Sequence, residues 1–255
     1  RGQKTDSEKF AGAVTTFCIE AMMRDGKALQ AGTSHDLGQN FGRAFDVKFQ
    51  NIEGREEFVW QTSWGVSTRL IGGLIMTHSD DSGLILPPRL APIQSVIVPI
   101  FKSDAEKESV MGAAAKLQGD LRANGVAVEL DAREGMRPGE KYYEWERKGV
   151  PIRIELGPKD IASGTAMTKL RVADGKEKLP LESLAQDLPG VLDKFQAALY
   201  ARAVKFRADN TVTVDTWADF LEVFKEGSSK FAWCHWDGTR ETEAASTSPT
   251  MREPL

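Results

Sequence analysis

Three prolines within six residues, in LPPRLAPIQ (86–94), restrict this chain more than any other stretch. Pro87, Pro88 and Pro92 cannot occupy a helix interior or a central strand, because each lacks a donor and fixes φ. The stretch therefore reads as a stiff crossing between domains, with residues 1–93 ahead of it. Those residues hold strand-like runs, FDVKFQ and EEFVWQTSWGV, and one run of helical spacing, EKFAGAVTTFCIEAMM.

Beyond the prolines, SVIVPI (95–100) reads as a buried strand. Ser103 and Glu106 follow as a capping box, Val110, Ala114, Leu117 and Leu121 line one helix face, and Gly125 ends that helix. VAVEL, a helix around YYEWERKG and the strand PIRIEL continue the alternation, which implies right-handed crossovers and a mainly parallel core. AMTKLRV and the turn ADGK complete this block. A third block begins near Leu188, with a long amphipathic helix (Val191, Phe195, Leu199, Ala203, Phe206), a Thr-Val-rich connection, a helix WADFLEVFKEG and a strand KFAWCHW. STSPTMREPL has no periodicity and reads as a frayed or foreign, disordered tail.

The length of 255 residues suits one large domain or two to three small ones. A net charge of −4 gives no global attraction to nucleic acid, so any such binding needs a local basic face. Cys18 and Cys234, the two cysteines, exclude a disulfide framework or a four-thiolate zinc site and make a reducing cytoplasm the default. The apolar runs are too short to cross a bilayer, so no membrane partner is expected. The first residue is Arg1 and not Met, which reads as a piece of something longer.

Two polar constellations stand out. In ALQAGTSHDLGQNF (28–41), Ala28 and Leu29 read as a strand that bends at the glycines, leaving Gln30, Thr33 and His35 together at its end. They suit the floor of a small-molecule pocket, although a polar loop bonding its own backbone accounts for them as well. In QTSWGVSTRLIGG (61–73), strand alternation puts Trp64, Val66 and Thr68 on one side and Ser63, Gly65, Ser67 and Arg69 on the other. Gly65 leaves room for a flat ligand, and the Arg69 guanidinium is placed to stack on a base; an ordinary half-exposed arginine fits the same pattern. Neither G-x-x-x-x-G-K-[ST] nor a strand-linked G-x-G-x-x-G occurs, so any ATP site lies on a sheet surface. His78 with Asp80 and Asp81 reads as a helix end, and Cys234–His235 as ordinary strand residues.

TSH-x-LGQNF (33–41) and TSWGVSTRLIGGLIMTHSDDSGLILPPRLAPIQ (62–94) resemble the prolyl-tRNA synthetase family of the archaeal/eukaryotic-like type. The second string is similar to the third signature motif of class II synthetases, and KYYEWERKGVPIRIELGPKD (141–160) resembles the family's anticodon-binding segment. The resemblance implies an α+β and α/β multidomain fold. Residues 1–93 would be the C-terminal half of the class II catalytic domain with its antiparallel sheet, 94–187 an α/β anticodon-binding domain with a mixed sheet, and 188–255 a small α/β C-terminal domain.

It also implies roles. His35 would face L-proline, Thr33 would lie where proline meets the adenylate, and Trp64 and Gly65 would wall the amino-acid pocket. Gln30 would contact ATP and its Mg2+, and Ser67 and Arg69 would hold the adenosine. No catalytic acid or base is implied. Glu146, Arg153, Lys159 and Asp160 would read the guanines of the tRNA(Pro) anticodon, with Lys176 a weaker candidate; a salt-bridged surface is the alternative. Where the family usually has Gly-Trp-Lys-Phe, this chain has Gly139-Glu140-Lys141-Tyr142, so an aromatic is missing at Glu140. The cysteines of the family's zinc site are missing, so no structural zinc is expected. The upstream motifs that build the dimer and bind the α-phosphate are missing as well. The implied activity is proline–tRNA ligation by a cytoplasmic homodimer of which this is an inactive fragment. The alternatives are a non-catalytic anticodon-binding module, or a synthetase for threonine, glycine or histidine.

Overall fold

A computed structural model describes residues 1–225 and 230–247; the helix WADFLEVFKEG and the terminal stretch STSPTMREPL therefore fall partly outside the described residues. Two compact units form, one from residues 1–77 with 206–255, the other from 78–205. The proline-rich stretch lies wholly inside the second unit, where Pro87 accepts from the Leu90 and Ala91 amides in a tight turn and Ile85 packs on Phe195 and Leu199.

The first unit contains β1 (Gly2–Gln3), β2 (Thr15–Met22), β3 (Ala28–Gly38), α1 (Asn40–Ala44), β4 (Lys48–Gln50), β5 (Glu56–Phe58), β6 (Gln61–Gly65) and α2 (Arg69–His78). Strands β1-β2-β3-β6 form one antiparallel sheet in that order, and β4 pairs β5 separately. The helical reading of EKFAGAVTTFCIEAMM is overturned, since half of it, Thr15–Met22, is β2. Gly12 sits at φ +88°, where no right-handed helix continues, and the β-branched Thr15, Thr16 and Ile19 suit an extended chain. Pairing with β3 along eight registered positions then outweighs the helical spacing of the apolar residues.

The second unit contains β7 (Ser95–Pro99), α3 (Asp104–Ala123), β8 (Val128–Leu130), α4 (Pro138–Arg147), β9 (Ile152–Leu156), α5 (Pro158–Ala162), β10 (Thr165–Leu170), β11 (Glu177–Pro180) and most of α6 (Leu181–Asp209). Its sheet runs β11-β10-β9-β7-β8, parallel at β7–β8 and β7–β9 and antiparallel at the other two joints, so it is mixed. Ser103 caps α3 through the Glu106 amide, and Val110, Ala114, Leu117 and Leu121 are buried as their spacing requires. Alternation along β7 and β9 splits the core. Ile97, Ile152, Ile154 and Leu156 pack with α3 and α6, whereas Val96 and Val98 pack with Trp145 of α4. Each such buried aliphatic side chain contributes about 1.5–3 kcal/mol.

Helix α6 starts at Leu181, ahead of the expected Leu188, and continues through Pro189. Burial of Leu184, Ala185, Leu188 and Leu192 offsets the bond that the proline removes. Past α6, the Thr-Val-rich connection is a strand, β12 (Thr211–Val214), followed by α7 (Trp217–Val223), β13 (Phe231–Cys234) and α8 (Arg240–Thr247). β12 and β13 are parallel.

A buried charge cluster ties α4 to the end of β8. Asp131, with a fully buried side chain, accepts from Arg133 Nε and Nη2, from Trp145 Nε1 at 2.7 Å, and pairs with buried Lys141 at 3.5 Å. Burial pushes the Asp131 carboxyl up, but the Arg133 and Trp145 bonds outweigh it and hold the group well below the usual carboxylate range. Arg171 joins 80–84 to the sheet, bonding the Asp80 carboxylate and the carbonyls of Leu84 (2.9 Å) and Glu146 (3.0 Å). That bond lowers the Asp80 pKa. His78 ends α2, and no group of three or more metal-ligating side chains occurs among the described residues.

Candidate functional site

The segment 28–38 is not a bent loop. It is one continuous strand, and an irregularity within it decides what its polar residues can do. Opposite Ile19 stands Gly32, but opposite the next residue, Glu20, stands Gln30, so Ala31 is an extra residue in β3. A bulge of this kind shifts side-chain parity by one. Gln30, Thr33 and His35 pair with Glu20, Cys18 and Thr16, which alternate along β2 on a single face. The three polar residues consequently share that face, although Gln30 and Thr33 are three apart in sequence.

His35 is held from two sides. Its Nδ1 lies 2.9 Å from the Thr16 hydroxyl, which is itself buried and accepts from the Phe10 amide at 3.2 Å. The imidazole also packs on the Phe10 ring, with centroids 5.0 Å apart. A ring so fixed presents Nε2 in a set direction, which suits shape and hydrogen-bond selection.

Strand β6 completes the face. Thr33 is registered against Gly65 and His35 against Ser63. A Cβ built on Gly65 would stand 3.7 Å from the Thr33 hydroxyl, so the missing side chain leaves open the space beside Thr33. Trp64 is registered against Ser34, so its side chain leaves the strand on the side opposite to that of His35. Gly65 carries no side chain to close its own side, so the two neighbours can still border one space. A hollow of about 700 Å³ is lined by Trp64, Gly65 and Thr33 together, with Phe17, Ile19, Ser34 and Val66. Gln30, His35, Ser67 and Arg69 do not line it.

Ser67 and Arg69 lie past the end of β6, contrary to the reading of one strand through both. Ser67 is in the turn, where its hydroxyl accepts from the Arg69 amide at 3.4 Å. Arg69 opens α2, and its exposed guanidinium reaches back to the Gln30 carbonyl at 3.5 Å. The arginine expected at a nucleotide therefore stands beside the residue expected at ATP.

The other constellation occupies the α4 side of the second sheet. Arg153 and Glu155 alternate on β9, and Tyr142 and Glu146 stand one turn apart on α4 above them. The Arg153 guanidinium lies 4.0 Å from the Tyr142 ring centroid, donates from Nε and Nη2 to Glu155, and has Nη1 3.8 Å from Glu146. Lys176 donates to Glu155 at 2.7 Å. The structure thus gathers Glu146, Arg153 and Lys176. It adds Tyr142 and Glu155, which the sequence reading did not select; the i, i+2 spacing of Arg153 and Glu155 in a strand was the available signal. Asp160 accepts from the Gly157 amide at 2.9 Å and so caps α5, beside exposed Lys159. Glu140 accepts from the Arg137 amide at 2.8 Å and caps α4, which explains a carboxylate where the family has an aromatic.

Near the C-terminus, His235 lies 3.4 Å from Asp215 with both exposed, and Cys234 is an exposed strand end. No described helix is long and apolar enough to cross a membrane.

Residues 94–189 match the family model described as anticodon binding domain. Proline–tRNA ligase from Salinibacter ruber (strain DSM 13855 / M31) is 52% identical over 255 residues, covering 99% of this chain and 52% of that protein. The Chloroherpeton thalassium (strain ATCC 35110 / GB-78) proline–tRNA ligase is 54% identical over 244 residues, 95% of this chain and 50% of that protein. A crystal structure of prolyl-tRNA synthetase from Cryptosporidium parvum, complexed with L-proline and AMP, matches with a TM-score of 0.89 at 37% identity, over 98% of this chain and 54% of that one. The chain spans about half the length of these relatives.

Proposed function

We propose that this chain, a homologue of proline–tRNA ligases along nearly its whole length, serves as the corresponding part of such an enzyme. The full reaction activates L-proline with ATP and Mg2+ and passes the prolyl group to tRNA(Pro). The observation that carries this reading is the bulge at Ala31, which sets Gln30, Thr33 and His35 on one face beside Gly65, with Arg69 reaching Gln30. In this proposal His35 selects the imino acid, and Gly65 leaves space for it next to Thr33. Thr33 sits where the prolyl carboxylate meets the α-phosphate. Gln30 meets ATP and its Mg2+, and Ser67 and Arg69 hold the adenosine.

Adenylation is attack of a carboxylate on phosphorus, which asks the protein for alignment and charge stabilisation more than for proton transfer. Fixed dipoles and a guanidinium supply both. Trp64 and Gly65 wall the amino-acid pocket beside Thr33, with which they line one hollow.

In the second unit we assign Glu146, Arg153, Lys159 and Asp160 to the anticodon, within the region matched to the anticodon-binding model. The functional parts remain 1–93, 94–187 and 188–255, working in a cytoplasmic homodimer. The half-length coverage of the relatives, and the bare apolar face of Phe17, Ile19, Trp64 and Val66, favour an enzyme part that operates with the rest of a ligase over a free-standing anticodon binder. ATP–pyrophosphate exchange on the full-length protein tests the reading. Exchange dependent on L-proline is expected, and dependence on threonine, glycine or histidine instead would overturn it.

A further inference from the structure

Around Arg153 the side chains outnumber those that base recognition requires. Glu155 is almost fully buried, and both of its oxygens are engaged. One accepts from Arg153 Nε at 3.1 Å and Nη2 at 3.0 Å; the other accepts from Lys176 Nζ at 2.7 Å. The Tyr142 hydroxyl lies near this carboxylate, and burial together with the Glu155 charge raises the pKa of that hydroxyl. The Tyr142 ring lies under the guanidinium, with Lys176 5.2 Å from its centroid. None of the described hydrogen bonds uses Arg153 Nη1, which faces Glu146 at 3.8 Å. An arginine so clamped has lost the freedom of its long side chain before any ligand arrives.

We propose that Glu155 is a positioning residue for guanine selection. Braced by Lys176, with the Tyr142 hydroxyl nearby, it holds Arg153 edge-on, so that Nη1 and the Glu146 carboxylate offer a donor and an acceptor side by side to one base. Guanine matches that pair, with O6 accepting and N1–H and the exocyclic amine donating. Adenine reverses the pattern along its Watson–Crick edge. Glu155 itself touches no base. The proposal rests on the anticodon reading given above.

The test is binding of this chain to a hairpin RNA whose loop presents two adjacent guanines, compared with hairpins in which either guanine is replaced by adenine. The wild-type chain is expected to prefer the guanine loop over at least one adenine loop by roughly 10-fold or more. Glu155→Gln should cut that ratio to about 2–3-fold, while affinity for the adenine loop, which rests on phosphate contacts, stays within about 2-fold. Tyr142→Phe keeps the ring beneath Arg153 and should lose an intermediate share of the ratio.

If the wild-type chain shows no preference, the anticodon reading fails, and this proposal with it. A full ratio retained in both variants overturns the positioning role alone, as does an equal loss of affinity for every loop. Should circular dichroism show Glu155→Gln to be unfolded, Tyr142→Phe decides the matter, and an unchanged ratio in it overturns the proposal.

Discussion

Thr33 and Gly65 face one another across the β3–β6 ladder, and a methyl group added at Gly65 would meet the Thr33 hydroxyl at an ordinary van der Waals distance of 3.7 Å. Gly65 is exposed, so Gly65→Ala should leave stability within about 0.5 kcal/mol of wild type. In the full-length enzyme the same methyl group narrows the space assigned to proline, so the KM for proline should rise. A thermal melt and steady-state exchange kinetics check both halves, and an unchanged KM removes Gly65 from the pocket.

Arg69 reaches the Gln30 carbonyl and bonds no carboxylate in the described structure, so its removal should cost little stability. Arg69→Ala in the full-length enzyme should raise the KM for ATP about 10-fold, as loss of one charge-assisted contact does, without altering tRNA affinity. Nucleotide titration beside an RNA-binding assay measures the two separately, and matched losses in both would remove Arg69 from the nucleotide.

Asp160 has two roles to separate. Its carboxylate caps the Gly157 amide, and it is also assigned to the anticodon. Asp160→Asn keeps an acceptor for the cap and removes the charge, whereas Asp160→Ala loses both. The alanine variant alone should be less stable, by about 1 kcal/mol. Both should raise the KM for tRNA and leave adenylate formation untouched. Denaturant melts with aminoacylation and exchange assays check this, and an adenylation defect would count against the assignment.

Asp131 sets an acid limit on the second unit. Its folded pKa is depressed, so its contribution to stability is present above the unfolded value of about 3.9 and is lost as pH falls below it towards the folded pKa. Asp131→Asn should flatten the dependence of Tm on pH in that acidic window. At neutral pH, Asp131→Ala should cost about 3–5 kcal/mol, because the ammonium of Lys141 would remain buried without its partner. Melts across pH 2–7 measure the slope.

The second unit was legible because its signals are local and agree with one another. Ser103, the spacing from Val110 to Leu121, and the apolar runs at β7 and β9 each point to one element. The first unit was harder to read. β2 carries helical apolar spacing, and only its long-range pairing with β3 makes it a strand. The residue types at Gln30, Thr33, His35 and Arg69 were legible, but their shared face was not, since a bulge is a property of two paired strands. Trp64 and Gly65 line one hollow with Thr33 although they are adjacent in the strand, because the glycine has no side chain to close its side. Glu155 was overlooked because its partners Tyr142 and Lys176 arrive from different elements.

Ala31, the extra residue of β3, gives the sequence an unusual indel sensitivity. Deleting this one small side chain would leave composition and hydrophobicity almost untouched, yet would turn either Gln30 or the Thr33–His35 pair to the far side of the sheet. Whatever the neighbouring surface residues are, the shared face therefore depends on the three-residue step from Gln30 to Thr33.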